Sequence, residues 1–152
     1  MKAIFNKSTS MIGKLVAFAG GCLLLFSCAK TVVLSDLDFQ KRLLAGTGSY
    51  ENTKHIWKLD SVIVDNKALV LTTAQKNYTK TFTADGLYND SESNEGKWDI
   101  GELNKLKQTI IYKATGKMDS TTYEITTINA AELKLKYVGT KSTTQYAFTI
   151  VN

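Results

Sequence analysis

The chain has 152 residues, 43% apolar and 22% charged, which is enough for one domain with its own core. Its formal charge of +5 overstates the basicity of the later chain, because three of the 19 Lys and Arg precede residue 28 and none of the 14 Asp and Glu do. A nucleic-acid binder concentrates Lys and Arg on one face; here Lys alternates with apolar residues, as on a solvated outer face, so no nucleic-acid partner is expected.

The first element runs from Met1 to Cys28. Lys2, Lys7 and Lys14 make a positive start, and no residue from Leu15 to Phe26 carries a charge. Such a run matches the apolar region of a secretory signal and falls short of the ~20 residues that span a bilayer. It stops at Ser27-Cys28. Leu25-Phe26-Ser27-Cys28 resembles the lipobox of bacterial lipoproteins, which implies cleavage before Cys28 and a diacylglyceryl group on its sulfur. Residues 1–27 are then a signal peptide and 28–34 a tether. Two rival readings are weaker. An uncleaved membrane helix has too short a run, and cleavage at Cys22 would leave Leu23 to Phe26 as an exposed apolar tail, which invites association. Acylation of Cys28 leaves no thiol for a disulfide, a metal site or a nucleophile.

Residues 35–54 read as a helix and linker. Ser35 is a candidate cap, Asp36 and Asp38 favour the positive helix end, and Gly46 and Gly48 stop the helix. So short a helix is marginal alone and should lie against the sheet as a lid or plug. After Tyr50 the apolar period becomes two, Val, Ile, Thr and Tyr dominate, and Pro is absent from the whole chain. Strands are expected at about 55–65, 68–73, 77–83, 86–90, 96–101, 106–114, 119–128, 132–139 and 143–151. Turn residues such as Asp65-Asn66, Asp85-Gly86 and Gly116 separate them. Gly96 fits a place where another backbone passes close by. One wet face and one buried face along consecutive strands mark an antiparallel meander, and a meander of about eight strands hides its edges by closing into a barrel over 55–152.

Three passages together resemble the small lipocalin-like lipoproteins of Bacteroidetes-type bacteria: Ile56-Trp57-Lys58-Leu59-Asp60-Ser61-Val62, Phe82-Thr83-Ala84-Asp85-Gly86-Leu87-Tyr88, and Gly96-Lys97-Trp98-Asp99-Ile100. The resemblance implies an all-β, up-and-down eight-stranded barrel preceded by a short helix, with cargo unspecified.

The inward aromatics are the candidate pocket. They are Trp57, Tyr78, Phe82, Tyr88 and Trp98 from the first half of the barrel, and Tyr112, Tyr123, Tyr137, Tyr146 and Phe148 from the second. They could line a cavity for a small apolar or amphipathic molecule, or fill the barrel as a solid core. In the second case the outer strands or loops would dock a protein or glycan at the envelope. His55, the single histidine, has Glu51 and Asp60 as its nearest carboxylates and reads as surface rather than as a base or ligand. The stretch Asn89 to Glu95 is rich in oxygen but lacks the spacing of a calcium loop. No hydrolase, metalloprotease, phosphate-loop or dinucleotide motif appears. The expectation is therefore no enzyme, no cofactor and no metal. A protein anchored through Cys28 belongs in the cell envelope, on the outer membrane, with periplasmic and surface faces both open.

Overall fold

A computed structural model of the chain describes residues 36–47 and 53–151. The signal, Cys28, the 28–34 tether and the Ser35 cap lie outside the described residues.

Helix α1, Asp36–Ala45, carries Asp36 and Asp38 in its first turn and Arg42 in its last, both signs favouring the helix dipole. Gly46 ends it with φ +93°, and its N–H donates to the Arg42 carbonyl at 2.8 Å. Leu44 and Ala45 are buried, while Phe39 faces solvent.

Strand β1, Lys54–Val64, leads through Asp65 and Asn66 into the two-residue β2, Lys67–Ala68. Both turn residues have positive φ, 48° and 65°, which suits the right-handed twist of a hairpin. The strand expected over 68–73 is cut short there. Instead Thr72 caps helix α2, Thr73–Lys76: the Gln75 N–H donates to the Thr72 hydroxyl and the Thr72 N–H to the Gln75 side chain, at 3.3 and 2.9 Å. This reciprocal closure satisfies two backbone donors locally, and it outweighs the β propensity of the Val70–Thr73 stretch.

The remaining strands are β3, Thr79–Thr83; β4, Leu87–Asp90; β5, Glu95–Glu102; β6, Lys105–Ile111; β7, Met118–Ile128; β8, Glu132–Val138; and β9, Thr143–Val151. From β3 onward each pairs antiparallel with the next, and β9 returns to pair with β1 from Ile56 to Val64. The first half of β1 pairs with β3 on its other side, so β1 and β3–β9 form a closed eight-stranded barrel, with β2 an added edge piece.

Inward and outward positions alternate as the period of two dictates. In β1 the register shifts between Leu59 and Ser61, and the buried parity moves from Trp57 and Leu59 to Val62. The bulge lets an 11-residue strand bend around the barrel without turning its apolar side outward. One end of the barrel is solid. Trp57, Phe82, Ile100 and Leu106 are fully buried there with Leu44 of α1. The Trp57 indole donates to the Leu44 carbonyl at 2.8 Å and His55 Nδ1–H to the Leu43 carbonyl at 2.9 Å. Lys41 pairs with Asp99 at 2.8 Å, and the Gln40 amide clasps Asn104 in the β5–β6 turn. The helix is a plug, and its last carbonyls are satisfied by barrel donors.

One expectation about charge is corrected. Lys80 is not on the outer face; it is 6% exposed and points into the barrel on the same side of β3 as Phe82.

Candidate functional site

Helix α1 binds the start of β1; around the end of β1 the barrel mouth opens into a pocket. A cavity of about 470 Å³ is lined by Leu59, Val62, Ile110, Leu135 and Phe148 on its apolar walls. Tyr78, Lys80, Asp90, Tyr123 and Tyr146 add polar groups, and Leu69, Gln75, Glu92, Tyr112 and Thr144 surround the opening. This volume lies within the roughly 300–1,000 Å³ of small-molecule pockets.

The candidate aromatics divide by depth. Tyr78, Tyr112, Tyr123, Tyr146 and Phe148 line the cavity. Trp57, Phe82 and Trp98 belong to the solid half, where Phe82 meets the Trp98 ring edge-on at 5.9 Å and the Trp98 indole donates to the Thr83 carbonyl at 3.0 Å. Tyr88 stands between the halves, tilted 51° against Phe82, with its hydroxyl pointed at Asp90. Tyr137 sits near the rim, 39% exposed, its ring 6.1 Å from that of Tyr123. Tyr112 lies just past the end of β6, which stops at Ile111 rather than continuing to 114.

Two polar groupings share the interior. In the first, Tyr78 and Tyr88 both donate to Asp90 Oδ2, at 3.2 and 2.9 Å. With both hydroxyl hydrogens spent, their oxygens lie side by side at 3.2 Å. Asp90 also accepts from the Glu92 N–H, the Asn94 N–H and the Asn94 side-chain amide, at 3.0, 3.0 and 3.1 Å. Within the oxygen-rich hairpin Asp90 and Asn94 turn inward, while Asn89, Ser91, Glu92, Ser93 and Glu95 stay exposed. Among the described residues no three His, Cys, Asp or Glu gather as a metal site.

In the second grouping, Lys80 Nζ donates to Gln108 Oε1 at 2.9 Å. The ammonium faces the rings of Tyr88, Tyr123 and Phe148, at 5.3, 5.2 and 6.0 Å from their centres. Such faces attract a cation. Burial still pulls Lys80 down to about 8, with the charge of Asp90 opposing that fall. Burial pushes the Tyr78, Tyr88 and Tyr123 hydroxyls well above their ordinary range.

Lys80, Gln108 and Asp90 were not among the pocket candidates, Asp90 having been weighed only within the oxygen-rich stretch, although a signal for Lys80 existed: it lies two residues from both Tyr78 and Phe82, each read as inward. His55 is far from the cavity, in edge contact with Trp57 at 6.0 Å, where it ties helix to barrel.

No helix among the described residues is long and apolar enough to cross a membrane. Compared with known proteins, the chain matches no family model, no characterised protein sequence and no solved structure.

Proposed function

We propose that this chain is a lipocalin-like lipoprotein of the Bacteroidetes type, anchored through acylated Cys28 in the cell envelope, on the outer membrane, that holds a small apolar or amphipathic molecule in its barrel. The observation that carries the reading is the cavity of about 470 Å³ inside a closed barrel whose other end is plugged by α1. A solid barrel acting only through its surface would bury side chains there instead. The walls combine apolar area with a few placed polar groups, the pattern that gives small-molecule sites both affinity and orientation.

A neutral fluorophore of suitable size, N-phenyl-1-naphthylamine, tests the reading. Titrated into the purified protein, it should brighten with saturable one-to-one binding, and decan-1-ol should displace it. A signal that fails to saturate, or that persists in urea-unfolded protein, would remove the cavity from the function.

A further inference from the structure

Lys80 projects from β3 into the cavity, 6% exposed, and among the described residues only one acceptor serves its three ammonium hydrogens, Gln108 Oε1 at 2.9 Å. Among the described residues it makes no ion pair. Gln108 is fully buried, and among the described residues its Nε2 has no hydrogen-bond partner. A buried donor without a partner costs free energy, and a buried charge without one costs more. Both groups carry unspent donors, but only Lys80 reaches the cavity, whose apolar walls include Ile110, Leu135 and Phe148.

The other charge in the interior does not cancel this. Asp90 already accepts five hydrogen bonds, from Tyr78, Tyr88, Glu92 and twice from Asn94. Its oxygens are spent on holding the β4–β5 hairpin. Glu92 stands at the exposed rim. A ligand that enters meets one buried carboxylate already in use and one buried ammonium with donors still free. The three rings around Lys80 favour its charged form without offering it an acceptor.

Building on the proposed cavity function, we infer that the ligand is an amphipathic carboxylate, its anionic head on Lys80 Nζ and its apolar body along Leu59, Val62, Ile110 and Leu135. A carboxylate oxygen supplies the acceptor, and the opposite charge, that the ammonium lacks. Uncharged amphiphiles enter the same space but leave the ammonium unpaired.

Calorimetry with decanoate and decan-1-ol, on the purified protein and on Lys80→Met, separates head from tail. Decanoate should bind the unmodified protein one-to-one and about tenfold or more tighter than decan-1-ol, as a charge-assisted hydrogen bond supplies. In Lys80→Met the two ligands should bind equally, while Lys80→Arg should keep the preference. Equal binding of both ligands to the unmodified protein overturns the carboxylate assignment and leaves the cavity reading standing. A preference that survives Lys80→Met overturns it too, since the charge then lies elsewhere. Failure of both ligands to bind overturns both readings. The comparison on the unmodified protein decides the matter even if a variant does not fold.

Discussion

An ammonium group taken out of water destabilises the fold that buries it, and Lys80 does so in the middle of this barrel. The consequence is a specific alkaline profile. The folded Lys80 loses its proton near pH 8, while an unfolded lysine keeps it to about 10.5. Between those values the unfolded chain binds more protons, so stability rises with pH. Tyr78, Tyr88 and Tyr123 act in the opposite sense: folded, they hold their protons well past the ordinary value of 10.0, so stability falls above that pH. Urea unfolding from pH 7 to 11 should therefore give a maximum near pH 10. In Lys80→Met the rise should vanish and the fall remain. The direction of Lys80 was legible from its place between two inward aromatics; its residue type, which almost always faces water, argued the other way. Gly96 shows the reverse case, a role visible in the sequence: a Cβ there would lie 1.8 Å from the Thr109 carbonyl oxygen.

At the scale of elements, α1 matters more than its ten residues imply. Its buried side is small, Leu44 and Ala45 with Leu37 partly covered, yet Leu44 fills the closed end against Trp57. Leu44→Ala should cost about 2–5 kcal/mol, toward the upper end if the surrounding rings cannot collapse inward; a shift of the urea midpoint without a change in slope would measure it. That the helix would act as a plug followed from its shortness. Its attachments did not, since the partners of Gln40 and Lys41, Asn104 and Asp99, are distant in sequence. The same limit applied to 68–73. Two reciprocal hydrogen bonds between Thr72 and Gln75 outweighed a run of β-favouring residues, and only the spacing of that pair hinted at it. The cavity itself could not be read from alternation, which says which side chains point inward but not whether they meet.

For the whole molecule, closure was the most legible feature. Consecutive two-faced strands without Pro leave few alternatives, and the β1–β9 register from Ile56 to Val64 completes the ring. The proposed anchor acts at this scale as well. Two or more acyl chains hold a protein on a bilayer stably where one does not, at ~0.8 kcal/mol per buried CH₂. Radiolabelled palmitate should enter the protein, and Cys28→Ala should neither take up label nor sediment with membranes; label retained by the variant would point to another attachment site.

The seam between β1 and β9 joins the first and last strands of the barrel to leave the ribosome. Until β9 arrives, the nascent sheet keeps two open rims and its interior stays wet. Long-range pairing of this kind is slow to form, so a half-made chain exposes the surfaces that chaperones bind and that neighbouring copies can zip onto. Any device that delays or removes the nine residues of β9 leaves an open ribbon in place of a container.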